Sequence, residues 1–381
     1  MKTIYLDHAA TTPLSTIAYK KMKPFLRGFY GNPSSIHEMG ATAKKAINEA
    51  RKKIANLINC KPSEIIFTSG GTEATNLAIL GYASQHPDKK EIITTKIEHH
   101  ATLHTCDYLE KKGYIIHKLN VDHEGFISMK DLSDYLNEHT LMVSIIWGNN
   151  EIGTIQDIEK ISAVCKKNNV LLHVDAVQIL GNQKIDLSAL NIDMLTASAH
   201  KFYGPKGIGF LYKKESIPID GIMHGGMQEK SIRPGTENVA GIIGCAEALE
   251  QSYNNIDAYS KHLSELSKSL FEALQLKIPT IKLNGPVIGS TYRLPGILSL
   301  SFENIKSFDL AFALDQEHIY VSTGSACNAT DIKPSHVLCA IKQKDIEKTG
   351  TIRVSFGIQN TIKDTDDIAK KIDICYQNHR S

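Results

Sequence analysis

Val170-Leu171-Leu172-His173-Val174-Asp175-Ala176-Val177-Gln178 joins a short apolar run to a carboxylate and an amide. A run of this length, rich in aliphatic residues, is typical of a buried strand. Asp175 then stands at the carboxyl end of that strand. Ligands bind at this end of open parallel sheets, so the stretch predicts both a sheet and a site.

Comparable apolar runs occur on both sides of this stretch, at residues 64–67, 91–95, 141–147 and 193–197. Helical patterns separate several of them, as at residues 39–58, where apolar side chains recur at near-helical spacing with lysines opposite. This alternation predicts an α/β fold with a mostly parallel sheet.

The pattern changes near residue 256. Apolar runs at 296–302, 318–321 and 351–356 then alternate with helical patterns at 307–316 and 364–377. This predicts a second, smaller α+β domain in the last third of the chain.

Composition excludes several classes of protein. The 381 residues are 42% hydrophobic and 22% charged, which is ordinary for a globular chain. The net charge of +2 provides no basic surface for direct nucleic-acid binding, and no apolar window is long enough to span a membrane. Seven cysteines without a CxxC motif indicate reduced thiols in a cytoplasm, and the N-terminus is too polar for a signal peptide.

Polar clusters follow the apolar runs of the first domain, which predicts that they share one site at one edge of the sheet. Ser69-Gly70-Gly71-Thr72 leads into a helical pattern from about Ala74. It either caps that helix or binds a phosphate at its N-terminus. Asn149-Asn150 follows another run.

Asp175, Gln178 and Lys201 suggest chemistry on a ring. Asp175 either caps a helix or pairs with a protonated pyridine nitrogen, and Gln178 can reach the same ligand. Lys201 is either a surface lysine or a desolvated amine suited to a Schiff base. Ser198 and His200 beside it are candidate phosphate donors.

The remaining candidates are a histidine cluster, a cysteine and an arginine. His99, His100, His104 and Cys106 lack the spacing of a zinc site, so a ring stacked on a flat ligand is the better interpretation, and no metal is expected. Cys327 lies in a Gly- and Ser-rich stretch as either an incidental thiol or a nucleophile. Arg353 in an apolar strand indicates a carboxylate clamp or a buried ion pair.

Together these motifs resemble the NifS/IscS-type cysteine desulfurases, which are pyridoxal-phosphate enzymes of the class V aminotransferases. The motifs that carry the resemblance occur in family order, at residues 5–13, 31–37, 68–76, 98–99, 149–153, 173–178, 198–209, 224–226, 233–239, 324–327 and 351–353. The resemblance implies fold type I of these enzymes, with a large domain at residues 15–255. It implies a small domain, made of residues 1–14 and 256–381, that carries the catalytic cysteine and the arginine.

The resemblance also implies the role of each residue. Lys201 holds the cofactor, Asp175 pairs with its ring nitrogen, Gln178 binds its ring hydroxyl and His99 stacks on the ring. The phosphate ligands are Gly71, Thr72, Ser198, His200 and, from the second subunit of a homodimer, Thr236. Asn150 and Arg353 bind the carboxylate of L-cysteine. Lys201 moves the α-proton, His99 deprotonates the substrate thiol and Cys327 takes the sulfur as a persulfide.

Three questions stay open at this level. Selenocysteine lyase or another aminotransferase or lyase activity on this fold is an alternative, as is a non-catalytic dimeric scaffold. The sulfur acceptor is expected to be a protein of iron–sulfur cluster assembly, tRNA thiolation or DNA phosphorothioation. Met227 and Lys230 depart from the family pattern beside the phosphate loop.

Overall fold

The computed structural model describes residues 3–323, 334–341 and 349–380. Its strands are β1 Ile4–Tyr5, β2 Ile65–Thr68, β3 Glu91–Thr95, β4 Ile115–Leu119, β5 Thr140–Ile146, β6 Leu171–Asp175, β7 Met194–Ser198, β8 Gly209–Lys213, β9 Lys282–Asn284, β10 Ile297–Glu303, β11 Ile319–Tyr320 and β12 Thr349–Ser355. Its α-helices are α1 Thr16–Arg27, α2 Glu38–Leu57, α3 Gly71–Gln85, α4 His100–Glu110, α5 Met129–Tyr135, α6 Ile158–Lys167, α7 Val239–Lys277, α8 Ser307–Gln316, α9 His336–Ala340 and α10 Thr365–His379.

A seven-stranded sheet in the order β2-β8-β7-β6-β5-β3-β4 forms the centre of the molecule. Strands β4, β3, β5, β6 and β7 run parallel to one another, whereas β8 is antiparallel to both β7 and β2. The predicted α/β fold with a mostly parallel sheet is therefore confirmed.

Strand β8 is antiparallel because its connection to β7 is short. Only residues 199–208 separate the two strands. A parallel crossover needs a dozen or more residues, usually with a helix, so this link can only turn the chain back. The sequence analysis treated these residues as part of a binding motif and did not predict β8.

The last third of the chain builds two smaller sheets. Strands β12, β10 and β9 form an antiparallel sheet, and β1 pairs with β11 in a parallel two-stranded one. The pairing of β1 brings the N-terminal segment against this part of the molecule. Asp7 then bridges to Ser355 at the end of β12.

Helix α7 connects the two parts of the molecule. Its first half packs Leu249, Tyr253 and Ile256 into the apolar core around the large sheet, and its second half packs Leu263 and Leu270 into the core around β10 and β12. The domain bounds at residues 14 and 255 stay predictions. Within the described residues, no helix has the length and apolarity needed to cross a membrane.

Candidate active site

A cavity of about 290 Å³ opens at the carboxyl ends of β2, β3, β5, β6 and β7. It brings together predicted residues from all five polar clusters and from β12. Those that line it are Gly71, Thr72, His99, Asn150, Asp175, Gln178, Ser198, His200, Lys201 and Arg353. The expectation that the clusters converge agrees with this cavity, while the role of each residue stays a prediction.

Two predicted residues are not in the lining. Thr236 is exposed and lies outside the cavity of its own chain. Cys327 lies outside the described residues.

One end of the cavity is suited to an anion. Helix α3 begins at Gly71 rather than near Ala74, so the amide groups of its first turn face the end of β2. A Cβ atom at Gly71 would lie 2.9 Å from Val177 Cγ2, so only glycine allows α3 to start this close to the residues after β6. Thr72, Ser198 and His200 lie on the same lining and add side-chain donors.

Asp175 lines the cavity at the carboxyl end of β6. Its side chain is buried, its Oδ1 accepts the Val177 amide hydrogen at 3.0 Å, and no ion pair to it occurs among the described residues. Burial raises the pKa of Asp175 to about 6, against the opposing effects of that hydrogen bond and the charge of Lys201. A buried carboxylate of this kind is stabilised by a cationic ligand.

The N-terminal segment forms another wall. Lys201 Nζ donates to Ala9 O at 2.7 Å and to Ala10 O at 2.8 Å. Gln178 Nε2 also donates to Ala9 O, at 2.9 Å, and His200 Nδ1 is 3.1 Å from Thr11 Oγ1. The carbonyls of Ala9 and Ala10 were not predicted as site groups, although the motif at residues 5–13 was a signal that this segment matters.

His99 is the N-cap of α4, and its ring is neutral. Burial, followed by the charge of Lys201, lowers the pKa of His99 to about 4. Nδ1 accepts the Ala101 amide hydrogen at 3.1 Å, so Nε2 carries the hydrogen of the neutral ring. In this tautomer Nε2 is a donor, whereas deprotonation of a thiol needs a free lone pair. That role of His99 stays a prediction.

Arg353 is held in place from two sides. Nη2 donates to Asp7 Oδ1 at 2.7 Å and Nη1 donates to Asn150 O at 3.0 Å. The side chain is 2% exposed, and its Nε has no hydrogen-bond partner among the described residues. Arg353 is thus ion-paired with Asp7 and also lines the cavity. Asp7 was missed by the sequence analysis because it is far from Arg353 in sequence.

Three further residues of the lining were also missed: Glu98, Glu151 and His336. Ser335 Oγ donates to Glu151 Oε2, and His336 Nε2 lies 2.9 Å from Glu98 O. These contacts hold the start of α9 at the cavity. Glu98 and Glu151 lie three and five residues after the ends of β3 and β5, within the motifs at residues 98–99 and 149–153, which were the available signal.

The other histidines form ring contacts. The His100 ring lies 4.9 Å from that of His104 and 4.8 Å from that of His336, between centroids. In the part of the chain that the structure describes, no group of three or more His, Cys, Asp or Glu side chains is arranged to hold a metal ion.

The two departures near the phosphate loop lie outside the cavity. Met227 is exposed, and Lys230 Nζ donates to Ser63 O at 2.9 Å. Glu229, Lys230 and Ser231 all have left-handed backbone angles, which non-glycine residues rarely adopt.

Comparisons with known proteins agree with this geometry. The sequence pattern of the aminotransferase class-V family matches residues 4–368. A cysteine desulfurase IscS of Dictyoglomus turgidum is 45% identical over 375 residues, 97% of this chain and 94% of that protein. A solved structure titled NifS-like protein superposes with a TM-score of 0.93 at 37% identity, covering 99% of this chain and all of the other. A structure titled SspA in complex with cysteine gives a TM-score of 0.81 at 33% identity, covering 93% and 99%.

Proposed function

Because the chain belongs to the class-V aminotransferase family and is a cysteine desulfurase that uses pyridoxal phosphate, we propose that Cys327 takes the sulfur of L-cysteine as a persulfide. The fold is accordingly fold type I of the pyridoxal-phosphate enzymes. The observation that carries the proposal is that one cavity combines Lys201, Asp175 and Arg353. These are an amine, a buried carboxylate and a guanidinium, the groups needed to hold an aldehyde cofactor and an amino acid.

The residues of the cavity fit pyridoxal phosphate. The glycine start of α3 leaves room for a phosphate beside amide donors, and the buried Asp175 carboxylate suits a protonated ring nitrogen. When bound, the cofactor supplies an electron sink for negative charge that develops on the substrate. Gly71, Thr72, Ser198 and His200 would hold the phosphate, and His99 would cover the ring.

Gln178 retains a free donor for the cofactor. An amide nitrogen carries two hydrogens, and one of those on Gln178 Nε2 is used by Ala9 O. The other would be free to bond the ring hydroxyl of the cofactor, and Asp175 would pair with the ring nitrogen.

Lys201 is positioned by the backbone before the reaction starts. The carbonyls of Ala9 and Ala10 accept hydrogen bonds from Nζ and hold the amine at the cavity wall. A lysine held in this way can attach the cofactor and, once displaced by the substrate, move the α-proton.

Arg353 binds the substrate carboxylate. Its guanidinium is fixed by Asp7 and Asn150 O, and the residue lines the cavity. Asn150 lines the same part of the cavity and can add a side-chain amide. Holding the carboxylate in this way orients the rest of the amino acid toward Lys201.

Described residues before and after Cys327 form hydrogen bonds with residues of the cavity lining, which supports Cys327 as the nucleophile. Before it, Ser322 exchanges backbone hydrogen bonds with Arg353, and after it, Ser335 bonds Glu151 in the cavity lining. The Cys327 thiolate attacks the substrate sulfur, so an S–S bond forms and the Cβ–S bond breaks. The electron pair of that bond stays on the carbon fragment, which takes a proton and leaves as L-alanine.

A homodimer completes the site in this proposal. Thr236 is exposed and does not line the cavity of its own chain, as expected if it serves the partner's phosphate site. Large apolar side chains are also exposed on α1 and just after it: Ile17, Leu26, Phe29, Tyr30 and Ile36. Sedimentation should give a dimer at micromolar concentration, and a fully active monomer would contradict this.

The sulfur acceptor is a second protein in this proposal. A persulfide formed in the cytoplasm needs a thiol acceptor, which would serve iron–sulfur cluster assembly, tRNA thiolation or DNA phosphorothioation. The near-zero net charge favours contact with a protein over direct contact with nucleic acid. Co-purification of the persulfidated enzyme with its acceptor would identify the pathway.

The activity is tested with purified holoenzyme, L-cysteine and a reducing thiol. Alanine and sulfide should appear in equal amounts. Parallel assays with selenocysteine separate the desulfurase from a selenocysteine lyase, since a lyase would turn over selenocysteine alone. Formation of a keto acid in place of alanine would indicate an aminotransferase and overturn the proposal.

A further inference from the structure

Glu98 is a buried acid in the cavity lining that the proposed reaction does not use. Its side chain is 1% exposed, and it precedes the ring-stacking His99. Its Oε1 accepts hydrogen bonds from Thr95 Oγ1 at 2.7 Å and from Ile146 N at 3.0 Å. Its Oε2 has no partner among the described residues. A proton on this carboxyl would therefore reside on Oε2.

The carboxyl lies one strand away from Asp175. Ile146, whose amide binds Glu98, is the β5 residue in register with Asp175 on β6. Two ionised carboxyls at adjacent buried strand ends repel each other, so one of them keeps its proton.

The surroundings decide which acid is neutral. Each acid accepts an amide hydrogen, Asp175 from Val177 and Glu98 from Ile146, but only Asp175 also feels the positive charge of Lys201. The charged or titratable groups around Glu98 supply no cation to it. They include Asp175 on β6, the neutral ring of the adjacent His99, the buried thiol of Cys106 on α4, and His336 of α9, whose Nε2 bonds the Glu98 carbonyl. Burial, with a smaller contribution from the charge of Asp175, raises the pKa of Glu98 to about 8.

We propose that Glu98 is a positioning residue that stays protonated at neutral pH, so that Asp175 is the single negative charge offered to the cofactor's ring nitrogen. This inference rests on the placement of the cofactor proposed above. An ionised Glu98 beside the end of β5 would compete for the ring proton and weaken its hold on Asp175. A neutral acid at this place adds no competing charge.

Infrared spectroscopy of the holoenzyme tests the proposal without turnover. At pH 7 the spectrum should contain the C=O stretch of a protonated, buried carboxylic acid, and carbon-13 labelling of glutamate should shift that band in the wild type. The band should disappear with a midpoint near pH 8 and should be absent in Glu98→Gln. Asp175→Asn should move the midpoint to lower pH, because it removes the neighbouring negative charge.

A wild-type spectrum without a glutamate-sensitive band at pH 7 would overturn the proposal, and so would a midpoint that Asp175→Asn leaves unchanged. The labelling experiment needs no variant, so the proposal stays testable if Glu98→Gln does not fold. Because no substrate is present, a failure here is distinct from a failure of sulfur transfer to Cys327.

Discussion

Arg353 Nη2 donates a hydrogen bond to Asp7 Oδ1 across 2.7 Å, although 346 positions separate the two residues. Strand β12 supplies the arginine, and the segment after β1 supplies the carboxylate. The pair ties the N-terminal segment, whose carbonyls hold Lys201, to the group that we expect to bind the substrate carboxylate. This contact therefore links the position of Lys201 to that of Arg353.

Asp7→Asn should raise the KM for L-cysteine by about tenfold with a smaller effect on kcat. The change removes a charge-assisted hydrogen bond, which contributes roughly 1.5–3 kcal/mol, and leaves Arg353 less well oriented. Steady-state kinetics checks this, with Asp88→Asn as the control because Asp88 is exposed in a turn. An unchanged KM would show that Arg353 is oriented without Asp7.

Lys201→Ala should abolish covalent attachment of the cofactor. The bound cofactor should then be released on denaturation after borohydride treatment, whereas the wild type retains it. Lys206→Ala is the matched control, because Lys206 lies five positions on and is exposed. Retention of reduced cofactor in Lys201→Ala would mean that another amine holds it.

The buried His173 should make stability depend on pH in mild acid. Its ring lies between Ser144 Oγ and Thr196 Oγ1, at 2.8 and 2.9 Å, and burial lowers its pKa to about 3. Since the unfolded chain binds a proton below about pH 6.5 that the folded chain does not bind until about pH 3, the free energy of unfolding rises with pH between these values.

His173→Gln should remove this difference in proton binding between the folded and unfolded chain, because glutamine does not titrate. Near pH 5 the free energy of unfolding of the apoenzyme should depend on pH less steeply than in the wild type, by about 1.4 kcal/mol per pH unit. Urea unfolding at several pH values measures this slope. His139→Gln, at an exposed position, should leave the slope unchanged, and equal slopes in all three proteins would contradict the assignment.

Local sequence patterns predicted much of this fold. The apolar runs that became β2, β3, β5, β6 and β7 are short and bounded by polar residues, and their strand ends converge on one cavity. Strand β4 was not predicted because it is an edge strand whose Ile115 is exposed, so its pattern is irregular. Strand β8 was not predicted; its first residue, Gly209, is the last of the binding motif at residues 198–209.

The contacts that complete the site depend on distant parts of the chain. No local sequence pattern predicts that the carbonyls of Ala9 and Ala10 contact Lys201, or that Asp7 contacts Arg353. These contacts depend on the tertiary fold, in which β1 pairs with the distant β11. The protonation of Glu98 similarly depends on the register of β5 and β6. Contacts between distant parts of the chain produce no periodic pattern in the local sequence, so they could not be predicted from it.

Cys327 carries the sulfur in the proposed reaction. Cys327→Ser should keep the cofactor and bind L-cysteine, yet release almost no sulfide, because a hydroxyl is a far poorer nucleophile toward sulfur. Selenocysteine should still be turned over, since selenium leaves more readily. Cys339→Ser is the control, because Cys339 is an exposed thiol in α9 near the cavity, and it should retain full activity.

Mass spectrometry of the wild-type enzyme after a single addition of L-cysteine tests this claim most directly. The peptide that contains Cys327 should gain the mass of one sulfur atom, which a reducing thiol should remove. Finding that sulfur on Cys339 or Cys106 instead, or full desulfurase activity in Cys327→Ser, would contradict the account.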